Sequence, residues 1–255
     1  MLQIERRKMI RDIIIRQGSV KVADLAKQFQ VGEVTIRRDL KALATEYGIQ
    51  ITYGGAFLPE DRDEYLRNEL SLSNKRLEHA DKKIMVAKKA AAMIKDGDTI
   101  ALNAGSTVEL IVDYIQGIQN LNIVTLGLNI AAKASLIPGV EVYMPGGKLR
   151  KTTGAFFGMD TEAFLAQFNI DKCFFGALAV SETRGVTHPS IEEIETNQIM
   201  LGLSKHAYLV VDSSKFGKVS LMHMADLSQF DGVIVDDVLP EKYVKSMKKH
   251  GVKII

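Results

Sequence analysis

Between residues 81 and 255, short unbroken apolar runs alternate with amphipathic stretches of helical period. No other feature of the chain constrains its fold as strongly. The runs read as strands at Thr99–Asn103, Asn122–Leu126, Val140–Met144, Cys173–Ala177, Ala207–Asp212 and Val233–Val235. Helical periodicity covers about Asp81–Ile94, with Ile84, Ala87, Ala91 and Ile94 on one side, then about Ala104–Ile118 and Ile130–Leu136. A strand that is apolar along its length is buried on both faces, and strand-helix-strand order joins neighbours in parallel. The expected body is an α/β domain with a mainly parallel sheet. Ligands of such folds bind at the carboxyl ends of the strands, where helix N-termini point.

The chain has 255 residues, enough for one large domain or two modest ones. The first 57 residues follow a different pattern. Met9, Ile10, Ile13 and Ile14 share a helical face, with Arg6, Arg7, Arg11 and Arg16 mostly elsewhere, and Gly18 stops that helix. Val22, Leu25, Ala26 and Phe29 repeat at helical spacing, and Gln30-Val31-Gly32 is a three-residue break. A third helix runs from about Glu33 to Thr45 with Ile36, Leu40 and Leu43 as its buried stripe. Helix, short turn containing Gly, helix is a helix-turn-helix pattern. The face opposite the stripe carries Val34, Thr35, Arg38, Lys41 and Ala42, with Arg37 on its flank. Arg grips guanine O6 and N7 bidentately, and Val and Ala touch thymine methyl groups. Ile49, Ile51 and Tyr53 then alternate with Gln50 and Thr52 before Gly54-Gly55, which reads as the strand and turn of a wing.

The net charge of +2 conceals a division. The first 57 residues hold ten basic and six acidic side chains, a net +4, which leaves −2 on the remaining 198. An anionic partner is expected for the front end only. A single cysteine, Cys173, excludes an intrachain disulfide framework and fits a cytoplasmic protein. No run of 18 apolar residues is present, so no membrane span is expected. The five His residues are scattered without metal-site spacing, so neither a metal nor any cofactor is expected. Residues 58–80 are polar and charged, with some helix expected around Tyr65–Leu72, and read as a linker between a head (1–57) and a body (81–255).

Three loops at strand ends of the body carry chemistry. Asn103-Ala104-Gly105-Ser106-Thr107 opens a helix with free N–H groups and two hydroxyls, which suits an anion. Pro145-Gly146-Gly147-Lys148 allows close backbone approach, and Asp212-Ser213-Ser214-Lys215-Phe216-Gly217 offers a cation and hydroxyls. Together they suit a small phosphorylated sugar or polyol.

Several of these runs resemble one family. Gly18-Ser19-Val20, Ala23-Asp24-Leu25-Ala26, Thr35-Ile36-Arg37-Arg38-Asp39-Leu40 and Tyr53-Gly54-Gly55-Ala56 resemble the DNA-binding domain of DeoR-type bacterial repressors. The body, through Asp96-Gly97-Asp98 and the three loops, resembles that family's sensor domain and the sheet of ribose-5-phosphate isomerases and CoA transferases. The resemblance implies a winged helix-turn-helix head that binds a double-stranded DNA operator, and a homo-oligomer, dimer or tetramer. DNA contacts are expected from Val34, Thr35, Arg37, Arg38, Lys41 and Tyr53, and effector contacts from Asn103, Gly105, Ser106, Thr107, Gly146, Gly147, Glu193 and Lys215. It implies a repressor of a carbohydrate operon controlled by a phosphorylated sugar, and no enzymatic activity. Asn103 stands where relatives usually have Asp, Asn197 where they often have Lys, and Leu126-Gly127 and Ala177-Leu178 replace other polar residues of the pocket. Two alternatives follow: a sugar-phosphate isomerase, with Glu192 and Glu193 as remaining acids, or a constitutive DNA-binding protein with a degenerate pocket.

Overall fold

The computed structural model describes residues 3–17, 19–47, 49–52, 54–57, 72–150, 152–158, 161–249 and 251–255. It divides into two compact units, Met1–Leu70 and Ser71–Ile255. Gly18, Tyr53 and residues 58–71 of the expected linker, with most of its expected helix, lie outside the described residues.

The first unit holds helices α1 (Gln3–Gln17), α2 (Val22–Phe29) and α3 (Glu33–Tyr47) and strands β1 (Ser19–Lys21), β2 (Gln50–Ile51) and β3 (Gly55–Phe57). The strands form an antiparallel sheet in the order β1-β3-β2. The wing therefore pairs with itself and also with a strand ahead of α2. Gly55 makes this pairing close: a Cβ there would sit 2.0 Å from the Val20 carbonyl oxygen. Gln30 ends α2 in the left-handed region at φ 52°, and the Gly32 carbonyl accepts the Thr35 N–H at 2.9 Å to start α3. Ile36, Leu40 and Leu43 are buried, as their spacing predicts.

The face of α1 differs from its prediction. Ile10 and Ile14 are buried, Ile13 is half-buried, and Met9 is 47% exposed because it lies more than 100° from the centre of the Ile10–Ile14 stripe. The stripe runs back four residues to Arg6, which is buried rather than solvent-facing. Asp39 lies on the inward stripe of α3 and is fully buried. Arg6 Nε donates to its Oδ2 at 2.7 Å and Arg7 Nε to its Oδ1 at 2.8 Å. Two cations of the basic head are thus committed to its interior.

The second unit begins with α4 (Leu72–Leu77) and α5 (Ala80–Ala91), followed by β4 (Thr99–Leu102), α6 (Ser106–Val112), β5 (Leu121–Thr125), α7 (Leu128–Ala134) and β6 (Val140–Tyr143). A hairpin of β7 (Lys148–Arg150) and β8 (Ala155–Phe157) leads to α8 (Thr161–Leu165) and β9 (Ile170–Phe175). After β10 (Ala179–Ser181) and β11 (Gly185–His188) come α9 (Ile191–Leu203), β12 (Ser204–Val210), β13 (Met222–Ala225), β14 (Gly232–Ile234), α10 (Glu241–Lys249) and β15 (Lys253–Ile254). Seven strands form one sheet in the order β15-β14-β12-β9-β4-β5-β6, and every pair is parallel. Strands β10, β11 and β13 form a small antiparallel sheet.

Both faces of the large sheet are covered. Ala101, Val124, Cys173, Phe175 and Leu209 face one core, with Ile194 and Met200 of α9 and Met247 of α10. Ile100, Leu102, Ile123, Phe174 and Val210 face the other, with Val86, Ala87 and Ala90 of α5 and Val108 and Ile111 of α6. Alternate residues of each strand thus enter different cores, which is why the strands read as unbroken apolar runs. Cys173 is a packed core residue, and burial pushes its thiol well above the ordinary range. On α5 the buried stripe is Lys83, Val86, Ala87 and Ala90. It is rotated from the predicted one, leaving Ile84 and Ala91 only half-buried, because Lys83 takes a place on the buried stripe, where its Nζ donates to the Lys75 carbonyl.

The Asp39 cluster carries a stability prediction. Burial pushes the Asp39 carboxyl up, but hydrogen bonds from Arg6 and Arg7 outweigh it and hold the group below its ordinary 3.8. Its contribution is therefore fully present above that value and is lost as pH falls through the lower folded one. Asp39→Asn leaves Arg6 buried beside a neutral group and should cost about 3–5 kcal/mol. Denaturant unfolding of the first unit, read at pH 7 and at decreasing pH, checks both the size and the sign.

Candidate functional site

Strand order reverses about β4: the chain proceeds outward through β5 and β6, then returns to pair β9 on the other side of β4. A crevice opens at the carboxyl ends of β4 and β9, the place where this topology separates successive loops. Asn103, just after β4, bridges it. Its Oδ1 accepts the Gly176 N–H at 2.8 Å and its Nδ2 donates to the Gly176 carbonyl at 3.1 Å. Both polar atoms of this buried side chain are engaged, so Asn103 forms the floor of the crevice and joins two loops. A carboxylate there could accept the Gly176 N–H but not donate to its carbonyl, which accounts for Asn at this position.

The cavity above is lined by Asn103, Gly105, Ser106 and Thr107 from the β4 loop and by Gly176, Ala177 and Leu178 from the β9 loop. Thr152, Thr153, His188, Glu193, Lys215 and Lys75 complete its polar wall. Six of the eight residues expected to meet an effector are therefore brought together. Gly146 and Gly147 are not among them. They form the turn into the β7–β8 hairpin, where a Cβ on Gly147 would lie 2.2 Å from the Phe157 carbonyl oxygen. The close approach at Gly147 serves backbone packing, and the hairpin turn presents Thr152 and Thr153 instead.

Each wall has its own chemistry. Ser106 and Thr107 begin α6, whose first helical bond runs from the Glu109 N–H to the Gly105 carbonyl at 2.9 Å, so the N–H groups before Glu109 lack helical partners. Lys215 ends a short turn held by two buried carboxylates. Asp212 Oδ1 accepts the Ser214 N–H at 3.0 Å, and Asp236 Oδ2 accepts the Ser213 N–H at 2.6 Å.

Glu193, 6% exposed, lines the same cavity. His188 Nδ1 accepts the Ser190 N–H at 3.2 Å, which places the ring proton on Nε2, and Nε2 donates to Glu193 Oε2 at 3.0 Å. Arg150 Nε lies 3.4 Å from Oε1, an ion-pair distance, and Oε1 itself makes no hydrogen bond among the described residues. Burial pushes the Glu193 carboxyl up, and the His188 hydrogen bond with the Arg150 charge pulls it further down, so it stays ionised. The cavity lining thus combines cations, N–H groups and a buried carboxylate acceptor.

His188, Thr152, Thr153 and Lys75 were not singled out from the sequence. His188 precedes Glu193 by five residues at a strand-to-helix junction, a local signal that was present. Lys75 sits in a polar segment with no signal at all.

The face expected to meet DNA lies on the first unit. Val34 is 74% exposed, Arg37, Arg38 and Lys41 are exposed, and Thr35 is half-buried. Arg37 Nη2 pairs with Glu33 Oε2 at 3.3 Å, one turn away. Arg38 makes no such pair among the described residues, so its guanidinium is the less encumbered of the two. The β2–β3 hairpin is the last described part of the unit, with Ile51 44% exposed. Among the described residues no helix is long and apolar enough to cross a membrane, and no cluster of His, Cys, Asp and Glu could hold a metal ion.

Comparison with known proteins agrees with both halves of this geometry. Residues 6–62 match the DeoR-like helix-turn-helix domain, and residues 78–237 match the DeoR C-terminal sensor domain. The chain is 33% identical to a putative aga operon transcriptional repressor of Escherichia coli O157:H7, covering 98% of this chain and 93% of the relative. It is 29% identical to the glycerol-3-phosphate regulon repressor of Escherichia coli K12, over 100% and 99%. It is 28% identical to the transcriptional regulator IolR of Bacillus subtilis, over 99% of each. A solved ribose 5-phosphate isomerase from Methanocaldococcus jannaschii aligns over 55% of each chain at 20% identity and TM-score 0.41, too slight a likeness to carry an argument. A DeoR-like helix-turn-helix followed by the matching sensor domain, shared end to end with repressors of this type, makes the chain a member of the DeoR family.

Proposed function

We propose that this protein is a transcriptional repressor of a carbohydrate-metabolism operon, that its α3 reads the operator, and that a small phosphorylated sugar or polyol in the β4–β9 cavity controls DNA binding. The observation that carries the effector reading is the make-up of the cavity lining: Lys215 and the Gly105–Thr107 turn share it with the buried, ionised Glu193. A phosphate suits the cation and the turn. A hydroxyl that donates to Oε1 of Glu193 suits the carboxylate, since among the described residues that buried acceptor makes no hydrogen bond. One relative is a glycerol-3-phosphate regulon repressor, whose name carries a compound of this class.

For the head, Arg38 is the base-reading residue, with Thr35, Val34 and Lys41 beside it and Arg37 held by Glu33. Helix-turn-helix proteins read paired half-sites as symmetric dimers, which supports a homo-oligomer. A repressor of this type has no catalytic step. Glu193 is the feature an isomerase would also need, since an enediol mechanism requires a carboxylate base. The β9 loop offers no second acid, which favours the binding role.

Two outcomes are expected. Arg38→Ala should weaken operator binding by about 1–3 kcal/mol and relax preference at one base position, whereas Arg37→Ala should weaken all sequences alike. Fluorescence anisotropy with operator variants measures both. A thermal-shift screen of sugar and polyol phosphates should find a compound that raises the melting temperature and releases DNA. Glu193→Gln should reduce its affinity about tenfold to a hundredfold, since it exchanges a charged acceptor for a neutral one. Turnover of a screened phosphate would replace the repressor reading with the enzymatic one, and DNA binding indifferent to every bound compound would replace it with the constitutive one.

A further inference from the structure

Asp39 is matched by more positive charge than it needs. Arg6, the more buried of its two partners, neutralises it through Nε at 2.7 Å. Arg7 adds a second guanidinium to the one carboxylate, so a surplus positive charge stands at the junction of α1 and α3. Arg7 reaches the interior only through Nε, which donates to Asp39 Oδ1 at 2.8 Å. Its two Nη groups bond nothing among the described residues. They are also absent from the buried atoms that lack a partner, so they open to solvent. The Arg7 side chain is 31% exposed, against 10% for Arg6.

Helical spacing fixes where these donors stand. At 100° per residue, Thr35 and Ala42 lie about 40° and 60° from Asp39, in the same direction around α3. Both belong to the face expected to meet DNA. Both are half-buried, whereas Val34, Arg38 and Lys41 are exposed. That difference marks the edge along which α1 packs, and the Arg6 and Arg7 bonds to Asp39 hold it there. Arg7 therefore borders the DNA-facing side of α3. Its Nε is held by a buried carboxylate, which fixes the guanidinium and leaves the Nη edge outward. Two guanidinium donors match two oxygens of a phosphate.

We propose that Arg7 is a DNA-backbone contact: its Nη groups grip one phosphate beside the groove that α3 enters, and Asp39 positions it. The contact carries no sequence information. It sets the register of α3, from which Arg38 reads bases. This inference rests on the reading of α3 as the operator-binding helix, and it extends the DNA interface to α1.

The salt dependence of DNA binding by the full-length protein tests it. The probe is the duplex that the wild-type protein enriches from a random-sequence DNA pool. Fluorescence anisotropy gives its affinity across a series of salt concentrations. Each phosphate contact adds about 0.9 to the slope of log affinity against log salt concentration. Arg7→Gln should flatten the slope by about 0.9 for each head bound and leave the ranking of variant duplexes unchanged. Arg7→Lys keeps the charge and should restore the slope. A head that is merely folded less often binds more weakly by one factor at every salt concentration. An Arg7 that only braces α1 therefore leaves the slope as it was, which overturns the proposal. Labelling of arginines with a dicarbonyl reagent, read by mass spectrometry, checks the unmutated protein. Arg7 should be labelled in the free protein and spared in the DNA complex. Labelling that persists in a complex sparing Arg38 overturns the proposal as well. If the wild-type protein enriches no duplex, the operator reading itself falls, and the proposal with it.

Discussion

All seven strands of the central sheet run the same way, and most of this molecule's properties follow from that constraint. Parallel strands need crossovers, and the crossovers place helices on both faces, so neither face meets water. Every strand then delivers its carboxyl end to one edge. The sheet buries apolar side chains, whereas the edge collects loops whose backbone groups have no partners in the ladder. Where the order reverses at β4, two successive loops diverge, and Asn103 holds them at a fixed separation through the Gly176 backbone. The cavity is a consequence of the topology before it is a consequence of any one side chain.

A second theme recurs in both units: a buried carboxylate gripped by two nitrogen bases. Asp39 holds Arg6 and Arg7 in the head, and Glu109 holds Arg76 and Lys133 where the chain enters the sensor. Glu193 faces His188 and Arg150 at the cavity. Such clusters are demanding, because a buried charge that loses its partner costs several kcal/mol. They contribute defined geometry. Asp39 fixes α1 against α3, Glu109 fixes α4 against α6, and Glu193 is oriented by His188 with its Oε1 making no hydrogen bond among the described residues. The Thr-Ile-Arg-Arg-Asp-Leu motif thus combines two tasks: Arg37 and Arg38 lie outside, while Asp39, one residue on, organises the interior.

The apolar pattern alone determined the division of labour along the chain. Short-range periodicity placed the three head helices, the wing, six of the seven large-sheet strands and the covering of that sheet on both faces, because burial of apolar groups depends on spacing that is written locally. It also located Gly105–Thr107 and Lys215, since strand ends and helix starts are local features, whereas Glu193 was indicated only by the family resemblance. Tertiary structure decided what the charged residues do. Lys83 and Arg6 occupy buried stripes, Asn103 is a clamp, Gly147 serves a hairpin, and Lys75 and His188 reach the cavity from distant segments. A charged or amide side chain is buried only where a partner from elsewhere in the chain meets it, and that meeting depends on distances that no local spacing contains.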